Sequence, residues 1–197
     1  MIMIIVDVET SGTDPRYHSL VSIGAIDFDN PSDSFFKECR IFPGARVGDE
    51  ALAVNGMTLE EINDQTKQSD AEIVAEFIEW IKDKRDHTVA GQNPSFDVGF
   101  ILAGAERAGL NISLAHRTID LHSLVHFHMS ERGIVPPVKN NRTDLNSDTI
   151  MRYVGIEPEP KPHIAINGAK WEAEAFSRLY NNKSMFTEFE YFKIPWN

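Results

Sequence analysis

The chain has 197 residues, 42% of them hydrophobic and 10% aromatic, with a formal net charge of −11 and one cysteine. Those values describe a single folded domain over residues 1–197 and exclude a disordered chain. No stretch approaches the roughly 20 apolar residues of a membrane span, and the opening MIMIIVDVETSG lacks the basic start and cleavage site of a signal peptide, so a cytoplasmic protein with no membrane contact is expected.

In chain order, Ile2–Val8, Leu20–Phe28 and Phe35–Ile41 are rich in β-branched and aromatic residues and are separated by turn-like stretches, which predicts a three-stranded antiparallel meander. Cys39, in the third strand, has no intramolecular partner, which excludes a disulfide framework and a cysteine-built zinc site. Thr58 with Glu61 and Ser69 with Glu72 each form a capping box, the second opening the helical pattern AEIVAEFIEWIKDK. Then follow a short buried strand at Thr88–Gly91, a helix over Asp97–Ala108, a strand at Thr118–Asp120 and a helix over Leu121–Arg132. Two further helices, Leu145–Val154 (closed by Gly155) and Ala165–Leu179, complete the chain. Strands first, then alternating helices and strands, imply an α/β fold with a mixed sheet flanked by helices.

The chemistry starts at the first strand. A period of two puts Asp7 and Glu9 on one face while Val6 and Val8 take the other, so two carboxylates stand side by side after an apolar run. Their repulsion calls for a cation. Hard divalent ions take oxygen ligands, and a pair about 3.5–4 Å apart suits in-line attack on a phosphodiester. An isolated Asp-x-Glu is more commonly a pair of solvated acids. Context favours the functional reading: Thr10, Ser11 and Gly12 follow at once, and NPSFDVGFI supplies Asp97 at a helix start after a buried strand.

At these residues the sequence resembles the DEDD exonuclease superfamily. VDVETSG resembles its first motif and Asn93–Ile101 its second. His163 with AINGAKWEAEA resembles the third motif of the histidine-type branch, which includes the proofreading subunit of bacterial DNA polymerase III. The likeness runs from Ile4 to about Leu179. It implies a ribonuclease-H-like five-stranded mixed sheet, two divalent ions (Mg2+ or Mn2+), and removal of nucleotides one at a time from a 3′ end. Asp7 would bridge the ions, Glu9 would bind one and Asp97 the other, while His163 would take the proton of the attacking water. Thr10, Ser11, Gly12, Asn93 and Phe96 would meet the terminal nucleotide, with Met57 wedged against its base. The family's usual histidine before this last position is here Asn55.

One position breaks the pattern. Five residues after His163 the family carries aspartate, and this chain has Gly168. Glycine in a helix interior costs roughly 0.5–1 kcal/mol relative to alanine, so helix stability does not explain it. Glu172, one turn further on, could reach back as a displaced ligand. Alternatively the site binds one tight and one weak ion, or the chain is a catalytically impaired module that holds a nucleic-acid end or a partner protein. In WEAEAFSRL Glu172 also reads as a solvated helix acid.

His122, His126 and His128 read as structural, because HSLVH lacks the glutamate of a zinc-protease helix, and Asp120 reads as a supporting residue. Lys139, Arg142, Arg152, Lys161, Lys170 and Arg178 are candidates for a basic rim. The resulting expectation is a metal-dependent 3′-to-5′ exonuclease acting on single-stranded or frayed DNA, with short RNA the nearest alternative and a polymerase or repair complex a possible setting. Acidity then fits, because metal offsets part of the charge.

Overall fold

The computed structural model describes residues 2–112, 114 and 117–197. Three strands, β1 (Ile4–Thr10), β2 (Leu20–Asp27) and β3 (Ser34–Glu38), pair antiparallel as the meander predicts. The first is displaced from the expected Ile2–Val8: it starts at Ile4, and its ladder with β2 carries Asp7 opposite Gly24 and Glu9 opposite Ser22 before slipping register at Thr10. The acids are therefore inside the strand, where the ladder fixes their backbone.

After the meander come α1 (Asp49–Asn55), α2 (Leu59–Ile62) and α3 (Asp70–Lys82). Both capping boxes are made, at Thr58 with Glu61 and Ser69 with Glu72. The first of these helices had no cap signature, since its N-cap is Gly48 and no side chain closes it. Then follow β4 (Val89–Gly91), α4 (Pro94–Arg107), β5 (Ile119–Asp120) and α5 (Leu121–Glu131). Helix α4 begins three residues before the expected Asp97, because Pro94 occupies its first turn, where a missing N–H costs nothing. A hairpin absent from the sequence reading, β6 (Val138–Lys139) with β7 (Arg142–Thr143), precedes α6 (Ser147–Tyr153) and α7 (Ala165–Asn181).

The five-stranded sheet has the order β3-β2-β1-β4-β5, with β4 and β5 parallel to β1 and the first pairings antiparallel. Its two faces carry separate cores. Ile4, Val6 and Val8 look toward α3 and α4, packing with Phe77, Phe100 and Ile101. Met3 and Ile5 look the other way, joined by Leu121, Val125, Ile150, Ala173 and Phe176 from α5, α6 and α7. By strand alternation Asp7 and Glu9 share that second face, so they look toward α7. What lets α7 lie so close is Gly24: a side-chain carbon there would come 2.2 Å from the Ala165 carbonyl carbon, so the helix start rests directly on β2 beside Asp7. Among the described residues no helix is long and apolar enough to cross a membrane.

Candidate active site

Strand β4 ends at Gly91, which leaves the outward Val8 N–H without a strand partner. Asp97, in the first turn of α4, accepts it at 3.0 Å through Oδ1. That bond ties the second motif to the first and sets Asp97 beside the acids of β1. On the opposite side α7 contributes two adjoining positions. Gly168 faces Asp7 so closely that a side-chain carbon there would be 2.2 Å from Asp7 Oδ2. One turn on, Glu172 is buried, and its Oε2 is 3.0 Å from where a side-chain carbon of Gly91 would be. Two glycines thus make room for two carboxylates.

These side chains line one cavity of about 210 Å³: Asp7, Glu9, Asp97, Glu159, His163 and Glu172, with Gln92, Asn93, Phe96, Ser147 and Gly168 completing its wall. The structure brings together the four acids singled out in the sequence and the histidine. It adds Glu159, whose only signal was its place four residues before His163 in EPEPKPH. The Glu159 Oε1 accepts the Ile164 N–H at 3.1 Å, and its Oε2 is 3.9 Å from His163 Nδ1. The histidine backbone is held in turn by its N–H, which donates to Val54 O at 3.0 Å.

Crowding acids in a buried pocket raises their proton affinity. Burial, then the charges of Glu172, Asp97 and Glu9, hold Asp7 well above the ordinary carboxylate range. Burial pushes Asp97 up to about 8 against the opposing N–H bonds from its own backbone and Val8. Glu9 rises to about 7 through burial and then Glu159. Burial followed by Asp97 raises Glu172 well above its usual value, and Glu159 is raised by burial.

The donor set fits hard divalent cations: carboxylate oxygens dominate it, and Glu172 Oε2 is buried with no hydrogen-bond partner. An orphaned buried carboxylate oxygen has a large unmet demand for a proton or a cation. Among the described residues no three His, Cys, Asp or Glu side chains are arranged to hold an ion as they stand, so the acids line the cavity without forming a finished coordination sphere.

Beside this cavity, sharing Val8, Glu9 and Phe96 with it, runs a groove of about 660 Å³ lined also by Thr10, Gly12, Thr13, His18, Asp49 and Val54. Gly12 is required there, because a side-chain carbon would overlap the His18 ring. Phe96 lines the groove while its ring packs 5.0 Å from that of Phe100, so it is part wall and part core. Two expected substrate contacts are placed elsewhere. The Ser11 side chain is fully buried, its hydroxyl donating to Arg46 O and accepting from the Ser19 N–H. Met57 lines a separate pocket on the far side of His163. Asn55 is buried and donates to Thr10 O at 3.2 Å, bracing the strand end from below. Asn93 is exposed, with a left-handed backbone and its N–H given to Asp120.

Asp120 supports the wall as expected, capping α5 through the His122 and Ser123 N–H groups. His122 bonds Thr143 and His128 bonds Tyr153, both structural. The basic rim shrinks. Arg178 is fully buried against Glu174, Lys170 pairs with Glu188 and Arg152 with Asp148, so none of these three is a free surface cation.

Carboxylates drawn from the central strand β1 and from α4 and α7 beside a mixed five-stranded sheet, with a histidine just before the helix that closes the site, define a ribonuclease-H-like nuclease fold. The profile of the family RNase_T, described as exonuclease, matches residues 4–176, and the chain belongs to that family. The PolC-type DNA polymerase III of Bacillus cereus is 28% identical over 154 residues, 78% of this chain but 10% of that protein. The 3′-5′ DNA exonuclease Cap18 of Escherichia coli is 38% identical over 109 residues, 51% of this chain and 54% of Cap18. The chain thus spans about half the length of one curated relative and about a tenth of the other. The nuclease domain of 3′hExo, a DEDDh family member bound to rAMP, superposes with a TM-score of 0.70 at 14% identity, covering 93% of both chains. E. coli exonuclease I bound to a dT13 oligonucleotide superposes at 0.71 with 18% identity, over 90% of this chain and 41% of that one.

Proposed function

We propose that this domain is a metal-dependent 3′-to-5′ exonuclease that hydrolyses terminal phosphodiester bonds of single-stranded or frayed DNA and releases nucleoside monophosphates. The observation that carries this reading is the cluster of Asp7 with the buried Asp97 and Glu172 around an unpartnered carboxylate oxygen, in a chain of the exonuclease family. Asp7, Glu9 and Asp97 would hold two divalent ions, Mg2+ or Mn2+, with Glu172 standing in for the acid that Gly168 lacks. Such ions offset the charge of a scissile phosphate and make water a stronger nucleophile.

The remaining roles fall to the protein. His163, on the cavity wall and tied through its backbone to Val54, accepts the proton of the attacking water. Glu9 and Phe96 border both the acid cavity and the adjoining groove, so a terminal nucleotide seated in the groove places its phosphodiester at the acids. Gly12 and Thr10 line the groove, and Asn93 lines the acid cavity that adjoins it. A preference for DNA agrees with the dT13 oligonucleotide bound by exonuclease I and with the 3′-5′ DNA exonuclease Cap18 among the relatives. The PolC-type relatives suggest a polymerase as one setting in which such a domain works.

Degradation of a 5′-labelled oligonucleotide in Mg2+ or Mn2+ tests the reading. A ladder of products shortened from the 3′ end, abolished by Asp7→Ala and by a blocked 3′ end, is the expected result. Binding without products in either metal would favour the end-binding module instead.

A further inference from the structure

The hairpin β6–β7 serves neither core. Its strands pair Val138 with Thr143 and Lys139 with Arg142 around a two-residue turn, Asn140–Asn141, both in the left-handed region at φ 51° and 59°. Asparagine tolerates that conformation, and such a turn matches the twist of a tight hairpin. The turn places Lys139 and Arg142 directly across from one another. Like charges so paired are destabilising, and among the described residues neither cation has an acidic partner. Some exposed cations, such as Arg16, Lys37 and Lys82, are paired with acids; what sets Lys139 and Arg142 apart is that they stand opposite each other on one short hairpin. In a chain of net charge −11, two unpaired and mutually repelling cations on one exposed hairpin stand out. Val135 and Val138 beside them are 84% and 67% exposed.

The hairpin is also anchored to the acid cavity. Thr143 Oγ1 bonds His122 Nε2 at 2.8 Å, and His122 in turn gives its N–H to Asp120, which holds Asn93. Two residues past the hairpin, Leu145 O accepts from Gln92 Nε2 at 3.3 Å, and Ser147 lies on the cavity wall with Gln92 and Asn93. Five residues separate Arg142 from Ser147, a reach of at most about 17 Å. A strand whose 3′ end occupies the cavity therefore has its preceding phosphates within range of the hairpin.

We propose that the Val138–Thr143 hairpin is a backbone clamp for the single strand behind the 3′ end, with Lys139 and Arg142 each contacting a phosphate. The inference rests on the nuclease reading for the direction of the strand, but its test does not need hydrolysis. Binding of labelled trinucleotide and long oligothymidylate is measured by anisotropy across a salt series in Ca2+, for the unaltered chain and for Lys139→Ala/Arg142→Ala. The unaltered chain binds the long strand more tightly than the trinucleotide. The double variant loses about tenfold for the long strand, nothing for the trinucleotide, and its salt slope drops by about 0.7 per removed cation. The charge-keeping pair Lys139→Arg/Arg142→Lys retains both affinity and slope.

An unchanged long-strand affinity and slope overturns the clamp and points the hairpin toward a protein surface. Equal losses on long and short strands also overturn it, since the hairpin would then merely support the cavity. Degradation of the 5′-labelled long strand by the unaltered chain in Mg2+ or Mn2+ is read in parallel. Its absence alongside hairpin-dependent binding refutes the exonuclease reading and leaves the clamp standing.

Discussion

Gly168 and Asp7 are in direct contact across the interface between α7 and β1: a side-chain carbon on residue 168 would lie 2.2 Å from Asp7 Oδ2 and 2.7 Å from its Cγ. The glycine is therefore what lets the Asp7 carboxylate keep its place, and the missing fourth acid and the placement of the first are one feature. The atom met is the end of a flexible side chain, so Gly168→Ala is expected to fold, with Asp7 swung aside. Misplacing a reacting group by about 1 Å costs on the order of 10²-fold in rate. Steady-state kinetics should show that loss in kcat with an unchanged melting temperature or a slightly higher one. Full activity in Gly168→Ala would show that Asp7 does not depend on the glycine.

Glu172 gives a sharper contrast, because its metal-free and metal-bound roles have opposite signs. Without metal it is a buried acid with an unpartnered oxygen, pushed toward protonation by burial and by Asp97. Glu172→Gln removes that repulsion while keeping the shape, so in EDTA the variant should melt higher than the unaltered chain. With Mg2+ or Mn2+ the order should reverse. Its metal affinity should fall at least about tenfold, the low end of what loss of even an outer partner costs. Calorimetric metal titration and paired melting curves check both signs. Unaltered affinity and activity would return Glu172 to the status of a bystander.

Much of this site could be read from residue spacing, and the parts that could not have identifiable causes. Asp7, Glu9, Asp97 and His163 announce themselves through local pattern: a period-two strand and a helix start, with three motifs in order. Glu172 needed the gap at Gly168 to draw notice, and its burial depends on Gly91, 81 positions earlier in the chain. Glu159 carries only its place four residues before His163 as a signal, because its approach to the histidine comes from the fold of the loop. Arg178 looked like a surface cation since a helical residue's face is set by what packs on it, and the covering segment lies downstream at residues 184–189. The hairpin has two-residue strands, shorter than any periodic pattern can report.

The metal-free domain should lose stability as pH rises. Asp97, at about 8, and Glu9, at about 7, keep protons in the folded state that the unfolded chain has released by about pH 4–5. Their folded values are raised, so the stabilisation is full below the unfolded values and disappears as pH climbs through the folded ones. Each retained proton contributes a slope of at most about 1.4 kcal/mol per pH unit over that window. In EDTA the melting temperature should fall between about pH 5 and 8, and Asp97→Asn should flatten the decline. Divalent metal should raise the melting temperature most at the alkaline end, where the ligands are already ionised. A metal-free profile that is flat or rising over this range would contradict the placement of these acids.

The Arg178–Glu174 pair predicts a different phenotype, one of folding. Both side chains are fully buried, with Nε and Oε1 2.6 Å apart. The remaining groups are satisfied by a covering segment: Glu174 accepts from Ser184 Oγ and from the Met185 and Phe186 N–H groups, while Arg178 donates to Val154 O and Phe189 O. A buried pair that clamps a segment this way is costly to break from one side, because the surviving charge has no water to turn to. Arg178→Met should therefore destabilise by about 3–5 kcal/mol in urea unfolding, with the segment after α7 becoming susceptible to proteolysis. Arg178→Met/Glu174→Leu should recover a large part of the loss, since it buries no lone charge. Metal affinity should change little in either variant that remains folded, because Glu172 and Gly168 occupy the cavity and Glu174 and Arg178 the side covered by residues 184–189. An additive double variant would show that the two residues act independently and that the clamp is no unit.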